Sequence, residues 1–357
     1  MKRPGFVKQF QDDIGRIPQQ IRSRVNVNRG LSEDKLMEAL LAPVDHGVTN
    51  PVPAKDTQVS HYHDMLEVYE GIGTASLHKK EVAYCILAGG AGTRVGGPKA
   101  LLHIPELNMS LLTLKLHQAV GQGPIWILVS PTIRAEVEAH VAEQKDIDQA
   151  RIKFVEQFES YRLTPHNQLV FDGDVPSIYP CGHGDLFPAL AGSAVWRDFI
   201  ESGGKHVVVV NVDNVFGSLE PAILGHHIDN KSKVTCEVVR RKNEELGGVL
   251  VDCDEGLQIV ELFRLGVPDA DAYSWLSTNS YIFNTDLQID KLGVTWHRKQ
   301  KLLDGRVVIQ HERLMQEITA AYNSTFLGVD RTERYMPIRD QMDLSIVRRI
   351  SDNSWNR

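Results

Sequence analysis

The sequence predicts an α/β fold: a doubly wound, mostly parallel sheet, followed by an antiparallel subsheet and preceded by a helical N-terminal extension. Three observations carry that prediction. From residue 82 onward, apolar runs of five to seven residues alternate with stretches of helical periodicity, which is the pattern of βαβ units. The first apolar run leads straight into a glycine-rich loop. After residue 234 the apolar runs follow one another too closely for intervening helices, which argues for antiparallel or mixed pairing there.

Taken in order, residues 1–80 are more polar than the rest and form the predicted extension. Ser32 with Glu33 and Asp34 can start a helix carrying Leu36, Leu40 and Leu41, stopped before Pro43. A second helix is expected from Ser60 to Glu70, ending at Gly71. Strands are expected at 82–88, 125–130, 152–156 and 206–212, and helices near 109–120, 132–143 and 186–201. Shorter strands follow at 234–240, 248–252, 257–262 and 280–283. The chain divides on this reading into the extension, a catalytic domain over 81–345 and a short tail over 346–357. In a parallel sheet of this kind, ligands gather at the carboxyl ends of the strands.

The stretch AYCILAGGAGTRVGGPK, residues 83–99, is the centre of the argument. An apolar strand ends in Gly89, Gly90 and Gly92, with Gly96 and Gly97 close behind. Glycines there let backbone N–H groups approach a ligand without a Cβ in the way. Arg94 and Lys99 add two cations, which points to an anionic ligand. Two common glycine loops are excluded. Lys99 lies between Pro98 and Ala100, so the loop is not a Walker-type P-loop, and no glycine stands at 95 to complete a dinucleotide fingerprint.

Two further stretches support a phosphate-handling site. In Tyr179-Pro180-Cys181-Gly182-His183-Gly184-Asp185, glycines flank a histidine ahead of a helical pattern, so amide groups and an imidazole can face one ligand. The valine run 207–210 continues through Asn211 and Val212 to Asp213, a carboxylate at a buried strand's C-terminal end that can hold a magnesium ion. Gly248, Glu261 and Asn279 lie on the later strands and suit hydroxyl binding.

Composition excludes other classes. A net charge of −7 leaves no global basic surface for nucleic acid, so an anionic substrate needs a local cation cluster. The four cysteines form no CxxC pair and read as reduced thiols, and no apolar run approaches 18 residues. A cytoplasmic protein with no membrane partner is expected.

In this order the motifs resemble the eukaryotic-type UTP–sugar-1-phosphate uridylyltransferase family, its UDP-glucose pyrophosphorylase branch above all. The L-A-G-G-x-G-T-R loop, Tyr179 to Asp185, Val212 to Asn214, Lys301 to Glu312, and Arg334 through Arg339 to Leu344 are all similar to family patterns. The resemblance implies a Rossmann-like nucleotidyltransferase sheet with a sugar-side subsheet, and the substrates UTP and a sugar 1-phosphate with Mg2+. It implies Leu87, Ala88, Gly89, Gly90, Gly92, Gln157, Gly182 and His183 at the nucleotide. Asn211, Gly248, Glu261 and Asn279 would lie at the sugar, Arg94, Lys99 and Arg339 at the phosphates, and Asp213 on the metal. Departures are a glycine loop two residues shorter, Ser277 in place of a sugar-binding asparagine, Arg339 in place of a lysine, and no room for the C-terminal β-helix often present. They leave open another nucleotide such as CTP, a non-glucose acceptor, or a protein that binds a sugar nucleotide without turnover.

Overall fold

The computed structural model describes residues 12–26, 48–61, 65–90, 92, 97–242, 244–266, 270–292, 295–338 and 343. The helix expected over 32–41 and the tail over 346–357 lie outside the described residues, as do Arg94 and Arg339.

The fold is mixed α/β, built on one ten-stranded sheet. Its parallel block runs β5-β2-β3-β4, with β2 at Val82–Leu87, β3 at Ile125–Val129, β4 at Ile152–Glu156 and β5 at His206–Asn211. β2, β3 and β5 are nearly continuous runs of apolar residues because both faces are covered, whereas β4 at the sheet edge leaves Lys153 exposed. Val82, Tyr84 and Ile86 enter one hydrophobic core, while Ala83, Cys85 and Leu87 enter the other. That alternation is the period of two that a strand imposes.

The second half of the sheet is antiparallel except for its last strand, Ser324–Gly328, which runs parallel to Val234–Arg240. Here β6 is Val234–Arg240, β7 Gly248–Asp252, β8 Gln258–Glu261, β9 Trp275–Asn284 and β12 Ser324–Gly328. The expected subsheet is therefore part of the main sheet. Strand β9 joins the halves by pairing antiparallel with β5, and it runs from 275 rather than 280. A separate hairpin is formed by β10 (His297–Leu303) and β11 (Arg306–Glu312).

Two helix expectations are corrected. The helix expected from Ser60 to Glu70 is α2, Leu66–His78; α1 is Gln19–Asn26, and Ser60 instead bridges to Leu327. Gly71 does not stop α2. Gly73, further along, is a packing position: a Cβ there would lie 1.9 Å from Pro221 O. Gly225 reciprocates, its would-be Cβ 1.7 Å from Tyr69 O, so α2 and α7 (Pro221–Asp229) touch backbone to backbone. The expected helix over 186–201 is two helices, α5 (Leu186–Ala191) and α6 (Ala194–Glu201), because Ser193 caps the second by accepting from Trp196 N–H. Between them in sequence and α2 lie α3 (Leu111–His117, capped by Ser110) and α4 (Arg134–Ala142).

Residues 48–80, where described, belong to this same body. Strand β1, Val52–Pro53, pairs with Val251 and Asp252, and α2 packs on α7. No helix among the described residues is long and apolar enough to cross a membrane.

Candidate active site

The site is a gap in the sheet. On one edge of β9, pairing passes from Tyr281 opposite Val209 to Leu276 opposite Val249. Among the described residues, 277–280 have no strand partner on that side. Local side chains take up two of the released N–H groups: Asn279 N–H donates to Ser277 Oγ (3.1 Å) and Ser280 N–H to Thr278 Oγ1 (3.2 Å). Asn279 accepts the left-handed backbone (φ 61°) that this turn demands.

A cavity of about 190 Å³ opens at the gap, and His183, Asn211, Asp213, Gly248, Glu261 and Asn279 all line it. These residues come from five separate stretches of chain. Gly248 has no room for a side chain, since its Cβ would sit 2.6 Å from Ile259 Cγ2. Glu261 is held by Gln316, whose Nε2 donates to Oε1 at 2.8 Å, and burial raises its pKa above the usual carboxylate value.

At the other end, Lys99 Nζ donates to Asp213 Oδ2 at 2.5 Å. The cation after the glycine loop and the acid after the valine strand thus meet across 114 residues of sequence. Arg94 and Arg339, the other expected phosphate cations, lie outside the described residues. Among the described residues no three His, Cys, Asp or Glu side chains assemble as a metal cage. A cation bound here would have Asp213 as its protein carboxylate and take its other ligands from phosphate and water, a set that suits Mg2+.

The nucleotide-side residues fall into two groups. Leu87 and Ala88 are a buried strand end: Leu87 O accepts from Val212 N–H, and Ala88 N–H donates to Leu128 O. They position Gly89, against which Gln157 lies; Gln157 Nε2 donates to Gly89 O at 3.2 Å, and a Cβ on Gly89 would meet that amide at 2.4 Å. Gly90 O accepts from Lys99 N–H (3.3 Å), closing the loop, and Gly92 has φ 59°.

The Gly-His-Gly stretch differs from its expected role as an amide cradle. Gly184 N–H donates to Arg313 O and Asp185 N–H to Gly182 O, so those amides are used internally. The glycines are there because residues 313 and 314 run alongside: a Cβ on Gly182 would lie 2.6 Å from Arg313 O, and one on Gly184 2.5 Å from Leu314 N. Asp185 is buried and accepts from Phe158 N–H and Arg313 Nη1, both at 2.9 Å. His183 Nδ1 accepts from Met315 N–H (3.0 Å), which leaves the proton on Nε2. Burial pushes its pKa down to about 4.

Sequence reasoning missed the groups that hold the Asp213 loop. Lys115 is fully buried, its Nζ donating to Gln118 Oε1 (2.7 Å), Val215 O (3.2 Å) and Gly217 O (2.5 Å). Arg334 grips Glu237 through two bonds of 2.9 and 2.8 Å and also reaches Ser218. Asn214 Nδ2 donates to Arg334 O, and Asn214 Oδ1 accepts from Met336 N–H. Asn214 and Arg334 stood in motif stretches without a role, and a lysine at the centre of an apolar helix, Leu111–His117, was the signal for Lys115.

Comparison with known proteins fits this geometry. A model of the UTP–glucose-1-phosphate uridylyltransferase family matches residues 42–353. The chain belongs to that family. It is 24% identical over 334 residues to a probable UTP–glucose-1-phosphate uridylyltransferase of Schizosaccharomyces pombe, covering 82% of this chain and 63% of that one. A UTP–glucose-1-phosphate uridylyltransferase of Musa acuminata is 24% identical over 75% of this chain and 62% of its own. The chain thus spans about three-fifths of the length of these curated relatives. In fold it is similar to the uridine diphosphate N-acetylglucosamine pyrophosphorylase of Trypanosoma brucei, with a TM-score of 0.75 at 16% identity over 95% of this chain and 79% of that one. The UDP-glucose pyrophosphorylase of Leishmania major superposes with a TM-score of 0.70 at 18% identity, over 94% and 78%.

Proposed function

We propose that the chain is a uridylyltransferase that joins UTP and a sugar 1-phosphate to give a UDP-sugar and pyrophosphate. The observation that carries this reading is that Asp213, which pairs with Lys99, lines the same cavity as Glu261, Gln316 and Asn279. A polyphosphate needs the first pair and a polyol needs the second set.

In the reaction, a phosphate oxygen of the sugar phosphate attacks the α-phosphorus of UTP. A new P–O bond forms, the bond to the β-phosphate oxygen breaks, and pyrophosphate leaves. The attacking phosphate is already largely dianionic at neutral pH, with a second pKa of about 6, so no general base is assigned. Lys99 neutralises phosphate charge and is held ready by Asp213. His183 offers its Nε2 proton as a donor. Gly89 and Gln157, joined by their hydrogen bond, would meet the base, and Glu261, braced by Gln316, accepts from sugar hydroxyls. Asp213 would hold Mg2+, which when bound neutralises and orients the phosphates. The four cysteines carry free thiols, three of them buried, which supports a reducing, cytoplasmic setting.

The test is pyrophosphate release from a panel of nucleoside triphosphates against sugar 1-phosphates. UTP with one hexose 1-phosphate is expected to give the highest kcat/KM. Preference for CTP would reassign the base, and no release with any pair would leave only binding. Asp213→Asn is expected to lower kcat by roughly 100-fold or more; near-normal turnover would remove its assignment.

A further inference from the structure

Two stretches that line the cavity are tied together by one arginine that does not line it. Leu246, Gly247 and Gly248 form part of the sugar side, where Gly248 pairs with Glu261. Tyr335 and Pro337 line the cavity next to the acid, since Ile338 N–H donates to Asp213 O (2.8 Å) and Val215 N–H to Met336 O (2.9 Å). Arg331, in the short helix Arg331–Arg334, holds both stretches. Its Nη1 donates to Glu245 Oε2 at 2.9 Å and its Nη2 pairs with Glu245 Oε1. The same guanidinium lies 5.0 Å from the centre of the Tyr335 ring, and Nη1 also reaches Arg240 O (2.9 Å) at the end of β6.

Polar bonds rather than packing place the loop that ends at Gly248. Leu246 is 80% exposed, so apolar burial does not fix it. Glu245, just before it, is the knot: its carboxylate also accepts from Lys242 N–H (2.9 Å), and its carbonyl from Arg241 Nε (2.8 Å). Gly247 O accepts from Leu262 N–H (3.1 Å), which ties the loop to the end of β8 only. A two-bond carboxylate–guanidinium pair sets direction as well as distance. The Arg331–Glu245 pair therefore registers the loop against the stretch beside Asp213, across 86 residues of sequence. Each charge of the pair is matched by the other, so the pair is a brace and not a ligand group.

We propose that Arg331 is a positioning residue for the sugar: by gripping Glu245 and backing Tyr335, it fixes Leu246–Gly248 and Tyr335 relative to each other and with them the fit of the hexose. This rests on the uridylyl-transfer reading above and names a pair that reading does not use.

Dissociation constants for UDP, UDP-glucose, UDP-galactose and UDP-N-acetylglucosamine are measured by calorimetry on the full chain, beside steady-state kinetics with UTP and the matching sugar 1-phosphate. For the best-bound UDP-sugar, Arg331→Met and Glu245→Gln are each expected to raise Kd, and KM for the sugar 1-phosphate, by roughly 5- to 50-fold, the scale of coupling within one bonded network. Kd for UDP and KM for UTP should stay within about twofold, and the double variant should lose no more than the worse single one. Arg331→Lys keeps the charge without the fork and should recover part of the affinity lost in Arg331→Met. Glu245→Gln, which keeps the side chain's shape, carries the test if Arg331→Met does not fold. A residue that only supports the fold would lower the denaturant midpoint and shift UDP and UDP-sugar together. Equal losses for UDP and UDP-sugar, additive losses in the double variant, an unchanged Kd for UDP-sugar, or wild-type protein that binds UDP-sugar no tighter than UDP overturns the proposal. Wild-type protein that favours a UDP-sugar but forms none from UTP and a sugar 1-phosphate refutes the transferase reading instead, and the Arg331 comparison then stands on Kd.

Discussion

Lys115 shows how much a single buried charge can organise. Its three partners are all oxygen acceptors, and three acceptors need three donors. An ammonium has them and a neutral amine does not. The contacts therefore call for the charged form even though burial drives the pKa well below that of a free lysine. What the charge secures is the loop 213–218, beginning at the acid opposite Lys99. Lys115→Met takes the ammonium from buried Gly217 O, while Val215 O keeps Gln118 Nε2 (2.9 Å). It should destabilise the protein by about 2–4 kcal/mol and lower kcat more than it raises KM, as read by denaturant melts and steady-state kinetics. A variant with wild-type stability and turnover would show that the loop holds itself. Residues of this kind are illegible in sequence, because their partners lie 100 positions away. Lys99 and Asp213 were legible as chemistry beside a glycine loop and a strand end. Gly182 and Gly184 were legible as special, but their reason is the passing backbone of 313 and 314.

At the scale of elements, α2 contains two glycines with opposite meanings. Gly71 has nothing within 4 Å of a would-be Cβ, whereas Gly73 would collide with Pro221 O. Gly71→Ala is expected to stabilise by about 0.5–1 kcal/mol through helix propensity alone. Gly73→Ala should destabilise by about 1–3 kcal/mol or more, by forcing α2 off α7. Urea unfolding of the two variants side by side decides it, and equal effects would mean the crossing is looser than described. In sequence Gly71 reads as the helix stop and Gly73 carries no mark of its packing role. The parallel strands were easy to place because burial on both faces makes them unbroken apolar runs. The partner change along β9 was not, since Ser277-Thr278-Asn279-Ser280 resembles an ordinary polar turn until its neighbours are known.

For the molecule as a whole, three histidines are held neutral by burial, with pKa values pushed down to about 4 for His183, about 4 for His311 and about 3 for His227. In the unfolded chain each titrates near 6.5. Between about pH 4 and 6.5 the unfolded state thus binds more protons than the folded one, so stability falls as pH drops through that window and is insensitive to these groups above it. The denaturant midpoint should decline from pH 7 to pH 5, with up to about three protons taken up on unfolding near pH 5. A midpoint constant over that range would contradict the burial of these rings. The fold class, an α/β sheet with its ligands at strand ends, was legible from alternation alone. That the antiparallel strands extend the same sheet was not, because pairing between β5 and β9 leaves no local mark in either segment.

The interruption along β9 makes the same few residues both line the opening and hold it. The strand is paired on either side of residues 277–280, through Tyr281 with Val209 and Leu276 with Val249, and Ser277 also pairs with Val238 on the other edge, so the frame around the opening is anchored at both ends. The rim has its own bonds: Ser277 Oγ and Thr278 Oγ1 accept from Asn279 and Ser280 N–H, and buried Thr278 also donates to Glu237 O. A substitution at Ser277, Thr278 or Asn279 therefore changes the opening and its support together, and only those that keep an acceptor at 277 and 278 and a left-handed backbone at 279 leave the rim as it is.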